Sequence, residues 1–357
     1  MRKTTCLIVI LTAGLIKCTP EPQSKFQDVN AVFTIESFKE QKKLFGSKID
    51  LGTVLSPVFI FFHDSLLFVT TIGLERNIFI YNSNDNFSSV GSIISRGFGP
   101  DELLSVVRMD FNSNGTFWTH DAVSAKLKRF ETKRMNDSLY AIAHETVSLN
   151  GPTPNAFLLG NQIGVTTQEV VPLTRFYVYD MDGKRTKETG DYPSYERDIP
   201  ATAKVEVYNA WAGIHPDRNQ FILAYEYTDL LEFYNEDFEL TKRIQGPHLF
   251  VPEFELKDRG GHQAMKRRFD LTKYAYQTVV CSDSLIFLLY DNGETVSKDD
   301  NQDEAGHFST LVAIDWNGQP LSVYELDHPV ISICVDWHKR VIYGLDRIES
   351  EVYAFPF

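Results

Sequence analysis

The first residues that could do chemistry surround a glycine-rich turn early in the chain. Arg96, Asp101, Glu102 and Arg108 place charges of both signs beside Gly97-Phe-Gly-Pro100. Glycine and proline at this spacing indicate a sharp turn between two apolar, strand-like runs. The charged groups could bind a ligand from a loop, or Glu102 could hold the turn itself through backbone N–H groups or Arg96. Both interpretations stay open, and the structural one is favoured.

Two tryptophans and three oxygen donors give further candidate sites. Trp118 and Trp211 lie in strand-like segments, where an indole could stack on a sugar or peptide or could simply fill the core between two sheets. Glu102, Asn209 and Asp229 carry the oxygen ligands that Ca²⁺ prefers. A metal site would require these three side chains to converge, which sequence alone does not establish.

Motifs of common enzymes are missing from the sequence. There is no G-x-S-x-G elbow, no H-E-x-x-H, no C-x-x-C and no phosphate-binding loop. The formal net charge of −13 makes nonspecific attraction to nucleic acid unfavourable. We therefore expect no nucleic-acid partner and favour a protein that binds without catalysing.

A repeated unit organises the elements that must position these residues. Each copy has two apolar strands joined by a short turn, then an aromatic-rich strand, a tight turn and a more polar strand. Aligning the third strands gives six anchors: Tyr81, Phe130, Tyr179, Phe233, Ile314 and Tyr353. The first three separations are 49, 49 and 54 residues, close to the length of a propeller blade.

The repeats predict an all-β, six-bladed β-propeller of four-stranded antiparallel blades over residues 31–357. Two insertions, at about residues 246–273 and 293–306, lengthen one spacing. The sixth copy ends after its third strand, so its fourth strand must come from elsewhere. We expect an N-terminal strand in the last blade to close the ring, and Ala31–Phe38 is the alternating segment available.

The N-terminus has the pattern of an exported protein. Arg2 and Lys3 precede the apolar run Leu7–Ile16, which is too short to span a bilayer and fits a signal peptide over residues 1–17. Leu15-Ile-Lys-Cys18 resembles a bacterial lipoprotein box, although Lys17 stands where a small residue is usual. Lipidation of Cys18, with residues 18–30 as linker, is preferred over plain secretion or an uncleaved anchor. Two further cysteines, Cys281 and Cys334, lie in apolar runs. They are expected as buried thiols, with a disulfide as the alternative.

Gly97, Gly99, Pro100 and Glu102 form a G-x-G-P-x-E element at the first passage between copies. With the six repeats and the exported start, this element resembles the TolB-like six-bladed propellers of Bacteroidetes. The resemblance implies a propeller fold and an envelope location, periplasmic or on the outer-membrane face. It carries no settled activity.

The expected function is a non-catalytic binding or scaffold propeller held in the cell envelope by lipid. It would present a loop face or its central channel to a protein, peptide or glycan partner, as a monomer and without an obligatory cofactor. The candidate binding residues are Arg96, Asp101, Glu102, Arg108, Trp118 and Trp211. Two alternatives stay open: a lactonase-like hydrolase with Ca²⁺ in the channel, and a purely structural envelope protein.

Overall fold

A computed structural model describes residues 22–112, 114–135, 138–151, 153–167, 169–268, 271–291, 308–346 and 349–357. The predicted signal peptide, the predicted lipidation site at Cys18 and the predicted insertion at about residues 293–306 lie outside the described residues.

Six sheets of at least four strands are arranged as blades in a ring, as the repeats predict. In each blade we name the strands a to d, from the innermost to the outermost. Blade 1 consists of Pro57–His63, Leu66–Thr71, Arg76–Asn82 and Ser88–Ser95. Blade 2 consists of Arg108–Phe111, Thr116–Asp121, Lys126–Met135 and Ser138–Ser148. Blade 3 consists of Asn155–Leu159, Gln162–Thr166, Phe176–Tyr179 and Arg185–Thr189.

The second half of the ring repeats this arrangement. Blade 4 consists of Ala210–Ile214, Gln220–Tyr225, Leu230–Asn235 and Leu240–Gln245. Blade 5 consists of Tyr276–Cys281, Ile286–Tyr290, Phe308–Ile314 and Pro320–Val330. Blade 6 consists of Ser332–Asp336, Val341–Asp346, Glu351–Pro356 and, as strand d, Ser47–Ile49.

Turn chemistry fixes the register of each blade locally. Asp180 follows strand c of blade 3 directly, and its Oδ1 accepts hydrogen bonds from the backbone N–H groups of Asp182 and Lys184. Gly183 then adopts φ +79°, which a glycine tolerates without steric cost. Asp315 repeats the arrangement in blade 5, with Gly318 at φ +76°. Equivalent turns at equivalent positions explain why the repeats are visible in the sequence.

An N-terminal strand closes the ring in the last blade, as predicted, but the prediction that Ala31–Phe38 forms this strand is wrong. Ser47–Ile49 pairs antiparallel with strand c of blade 6, with Tyr353 opposite Lys48. Ala31–Val32 instead pairs parallel with strand d of blade 4, and Glu40–Leu44 pairs parallel with strand d of blade 5. The N-terminal segment therefore runs along the outside of blades 4 and 5 before it supplies strand d of blade 6.

A buried ion pair fastens this outer segment to blade 4. Glu232, which is fully buried, accepts hydrogen bonds from Arg243 Nε at 2.7 Å and from the hydroxyls of Tyr225 and Tyr234. Arg243 also donates from Nη1 to the carbonyl of Gln27 at 3.1 Å. Both the carboxylate of Glu232 and the guanidinium group of Arg243 make hydrogen bonds, which is the condition under which a buried ion pair is tolerated.

The antiparallel order gives the ring two different faces. In the described part of the chain, the b–c loops and the connections from one blade to the next lie on one face, which we call the crossing face. The a–b and c–d turns lie on the other, which we call the hairpin face. The crossing face also carries the helix Ala201–Val207 and, within the predicted insertion at 246–273, a hairpin of Glu255–Asp258 and Gln263–Lys266. No helix in the described part of the chain is long and apolar enough to cross a membrane.

Candidate functional site

The innermost strands of the six blades surround a central channel. A cavity of about 300 Å³ lies within it and has residues of every strand a on its wall. This volume is at the lower end of the range for sites that enclose small ligands. Because every blade contributes, the cavity depends on the completed ring.

Arg108 and Asp110 supply the charge in the channel. They are two residues apart on strand a of blade 2, so their side chains leave the same side of the strand. Arg108 Nε lies 3.0 Å from both carboxylate oxygens of Asp110. Arg108 Nη1 also donates to the carbonyl of Ala212 at 2.9 Å. Since Ala212 belongs to blade 4, the guanidinium group joins two blades that are not neighbours.

Phe59 and Trp211 meet inside the same channel. Their ring centroids are 6.1 Å apart in an edge-to-face arrangement, a favourable geometry for aromatic pairs. Phe59 is on blade 1 and Trp211 on blade 4, which lies opposite in a six-membered ring. The indole Nε1 of Trp211 is buried and has no hydrogen-bond partner. A buried N–H without an acceptor is costly, so this donor is left unsatisfied in the described structure.

The thiol groups and the Ser332 hydroxyl that line the channel are not activated as nucleophiles. Cys281 and Cys334 are free, as expected, and both line the cavity. Burial raises the pKa of the Cys281 thiol to about 12, despite an opposing effect of Arg108, and burial also raises the pKa of Cys334. A thiol with a raised pKa is a poor nucleophile at neutral pH. Ser332 Oγ accepts a hydrogen bond from the backbone N–H of Ile60 at 3.2 Å.

The other charged residues of the glycine turn lie at the passage from blade 1 to blade 2. Glu102 Oε2 accepts a hydrogen bond from the Gly99 N–H at 2.8 Å, so the carboxylate holds the turn. Asp101 Oδ1 accepts from the Ala143 N–H at 2.7 Å, which ties the turn to strand d of blade 2. Arg96 is exposed. None of these three lines the channel cavity, so the structure does not bring them together with Arg108.

A buried lysine completes this passage. Lys128, 4% exposed, donates from Nζ to the carbonyls of Gly99, Pro100 and Glu102 at 2.8 to 3.0 Å. Asn77 Nδ2 donates to the carbonyl of Leu103 at 2.8 Å. The G-x-G-P-x-E element is thus a tight turn in which one ammonium group, that of Lys128, accepts no bond itself and donates to three backbone carbonyls.

Trp118 and the three suggested metal donors are also placed away from one another. Trp118 packs in the core between blades 2 and 3. Asn209 Nδ2 donates to Glu226 Oε2 at 2.5 Å, and Asp229 Oδ2 accepts from two backbone N–H groups, those of His248 and Leu249, each at 2.6 Å. Glu102, Asn209 and Asp229 are therefore engaged by three different parts of the chain. Within the ranges that the structure describes, no group of three or more His, Cys, Asp or Glu residues is placed to hold a metal ion.

Of the predicted binding residues, the structure brings together Arg108 and Trp211. Sequence reasoning missed Asp110 and Phe59. The i,i+2 spacing of Arg108 and Asp110 on one strand could have indicated the ion pair. No local signal could have indicated Phe59, because its partner is 152 positions away in the chain and across the ring.

Comparisons with known proteins agree with this architecture. No curated protein matches the sequence. A solved structure of a DUF4221 family member from Bacteroides vulgatus is similar, with a TM-score of 0.58 and 10% identity over 88% of this chain and 96% of the other. A putative exported protein from Bacteroides fragilis is similar with a TM-score of 0.52 and 10% identity, over 91% and 98% of the two chains. At these identities the likeness shows the fold alone.

The resemblance seen in the glycine element is confirmed by the family comparison. The model of the family described as TolB-like 6-blade propeller-like matches residues 34–338. This range covers most of the chain and includes residues of all six blades. The chain belongs to the TolB-like six-bladed propeller family.

Proposed function

We propose that this chain is a binding propeller, tethered to the bacterial cell envelope, whose ligand group enters the central channel. The observation that carries the proposal is Trp211, which lines the channel cavity beside the Arg108–Asp110 pair and has an indole Nε1–H without an acceptor. A ligand that accepts a hydrogen bond from this N–H would remove the cost of burying it unpaired.

The size and lining of the cavity indicate what kind of group could enter. About 300 Å³ suits one sugar ring or one amino-acid side chain with its peptide group. Phe59 and Trp211 offer aromatic surface, and Arg108 with Asp110 offers charges of both signs. We therefore propose recognition of a small polar group with an apolar face, presented by a glycan, a peptide or a loop of a protein.

Binding is favoured over catalysis because the reactive groups of the channel are already engaged. Arg108 and Asp110 are paired with each other, and the raised pKa of both thiols keeps them protonated. The suggested metal donors Glu102, Asn209 and Asp229 are held separately, and no other observation favours a metal-dependent hydrolase.

Export and tethering are supported by the N-terminal pattern. The apolar run Leu7–Ile16 and the segment that ends at Cys18 resemble the start of a lipoprotein, apart from Lys17. A fold relative from Bacteroides fragilis carries the description of a putative exported protein. We propose that Cys18 is lipidated and anchors the propeller to an envelope membrane.

The channel proposal is tested with a panel of small ligands. Free and N-acetylated dipeptides, monosaccharides and disaccharides are screened by saturation-transfer NMR against the Cys18→Ser chain. A ligand found in this way should bind about tenfold more weakly to Trp211→Phe, because one hydrogen bond is lost. Trp316→Phe is the matched control, since Trp316 Nε1 already donates to the Ser282 carbonyl at 2.9 Å. A ligand that binds both variants and the parent equally would contradict the proposal.

A further inference from the structure

The exposed hydrophobic side chains of this protein are unevenly distributed between its two faces. Among the described residues, ten large hydrophobic side chains are exposed, and eight belong to connections on the crossing face. These eight are Leu55, Ile72, Phe98, Val123, Val171, Leu173, Leu256 and Leu271. The other two, Phe45 and Leu240, lie at the outer rim. No a–b or c–d turn in the described part of the chain contributes one.

The most exposed members of the set lie at the tips of loops. Phe98 and Val171 are each 84% exposed, and they belong to the passage from blade 1 to blade 2 and to the b–c loop of blade 3. Val123 lies between them, in the b–c turn of blade 2, where its N–H is held by Asp121 Oδ1 at 3.1 Å. These apolar tips are therefore carried by loops of consecutive blades. A single exposed hydrophobic side chain is ordinary, but a concentration of them on one face favours an interaction role for that face.

The N-terminal segment reaches the ring at the same face. Phe26 forms a bridge with Tyr195, which lies in the passage from blade 3 to blade 4. Ser24 Oγ donates to Gln245 Oε1, at the crossing-face end of strand d of blade 4, at 2.5 Å. The described chain thus begins at the rim of the crossing face, beside the passage from blade 3 to blade 4.

Covalent reach then limits the distance between this rim and an anchored Cys18. Ser24 lies six positions after Cys18, and even fully extended this stretch spans only about 20 Å. A propeller anchored through Cys18 is held with the rim of its crossing face close to the lipid headgroups.

We propose that the crossing face of the tethered propeller rests on the lipid bilayer, with Phe98, Val123, Val171 and neighbouring apolar tips inserted among the headgroups. This inference rests on the lipidation of Cys18 in the proposed function. The hairpin face and its mouth of the channel then point away from the membrane. The net negative charge of the chain adds no attraction to anionic lipid, so the contact depends on the apolar side chains.

The test places a polarity-sensitive label on each face. Full-length lipidated protein is reconstituted in phosphatidylcholine vesicles as Phe98→Cys, Val171→Cys or Asp217→Cys, each labelled with an environment-sensitive maleimide dye. Asp217 lies in the a–b turn of blade 4 with a side chain 75% exposed, and serves as the hairpin-face control. The unsubstituted protein gives the background from Cys281 and Cys334, which line the channel cavity.

On vesicles, the emission maxima of the labels at 98 and 171 should shift to shorter wavelength, and doxyl-labelled lipid should quench most of their emission. The label at 217 should keep its emission in water. Protein that floats with vesicles while the labels at 98 and 171 stay in water would overturn the face proposal and leave the anchor intact. If the emission of the labels at 98 and 171 shifts to the blue in native envelopes but not on vesicles, a partner protein covers this face. That result also overturns the proposal.

Failure of the protein to float with vesicles would instead refute the lipid anchor. In that case the same variants also carry Cys18→Ser and an N-terminal hexahistidine tag bound to nickel-chelating lipid, which reproduces the tether and leaves the label site-specific. Quenching at 98 and 171 but not at 217 would still support the membrane-facing surface. Equal emission at all three positions would overturn it.

Discussion

Gly97 and Glu102 should be energetically coupled, because the carboxylate occupies the space that a side chain at position 97 would need. A Cβ at Gly97 would lie 2.0 Å from Glu102 Oε2. Gly97 does not have a positive φ, so Gly97→Ala strains no backbone angle. The substitution must therefore displace the carboxylate from the Gly99 N–H that it contacts at 2.8 Å.

The magnitude follows from that one hydrogen bond. A hydrogen bond to a charged group contributes about 1.5–3 kcal/mol, and the partial exposure of Glu102 favours the lower end. We expect Glu102→Ala to cost about 2 kcal/mol of unfolding free energy. Gly97→Ala should cost about 1–2 kcal/mol, since the reduced freedom of the unfolded chain returns part of the loss. In the Glu102→Ala background, Gly97→Ala should cost nothing.

Urea unfolding of the two single variants and the double variant measures this coupling, with fluorescence and circular dichroism required to give the same transition. Asp315→Ala is the control, since Asp315 also holds a turn, in blade 5, by accepting hydrogen bonds from the backbone N–H groups of Asn317 and Gln319. Its cost should add to that of Gly97→Ala within about 0.5 kcal/mol. Equal destabilisation by Gly97→Ala in the presence and absence of Glu102 would refute the reasoning.

Three further outcomes are expected. Arg243→Met should lower the free energy of unfolding in urea by about 3–5 kcal/mol, because it leaves the buried Glu232 charge without its ion-pair partner. As the control, Lys266→Met removes one partner of the exposed Lys266–Glu255 pair and should cost less than about 1 kcal/mol. Burial raises the pKa of Asp229 to about 6, against the opposing effect of its N–H donors, so the folded state binds the proton more tightly than the unfolded state. Relative to Asp229→Asn, the parent should therefore lose about 2 kcal/mol of stability as the pH rises from about 4 to about 7, and a loss on acidification would contradict this. Melting temperature should be the same in Ca²⁺ and in chelator, and a rise with Ca²⁺ that chelator abolishes would restore the metal-dependent alternative.

The sequence predicted the blades well because their signals are local. Aromatic third strands and Asp-x-x-Gly turns such as Asp180–Gly183 recur at fixed positions, and each turn determines the pairing of its own two strands. The closing strand lacked such a signal. Ser47–Ile49 is three residues long with two exposed side chains, while Ala31–Phe38 has the alternating pattern of a strand. Pairing at the edge of a distant blade depends on the assembled ring, which no local pattern records.

The site was predictable only in part for the same reason. Arg96 and Arg108 are close in sequence, yet the passage between blades carries the chain from the outer edge of blade 1 to the innermost strand of blade 2. Arg108 therefore reaches the channel, and Arg96 stays at the turn. Trp211 became a candidate by residue type alone. Its place opposite Phe59, with an indole N–H that has no acceptor, follows from the ring and not from any local pattern.

The indole N–H resonance of Trp211 tests the channel proposal most directly. The Cys18→Ser chain, labelled with ¹⁵N at its tryptophan indoles, is titrated with a ligand found in the small-molecule panel. We expect the Trp211 resonance, assigned with Trp211→Phe, to move downfield to saturation as its N–H gains an acceptor, while that of Trp316 stays in place. A Trp211 resonance that remains unchanged when the ligand is fully bound would contradict the central claim.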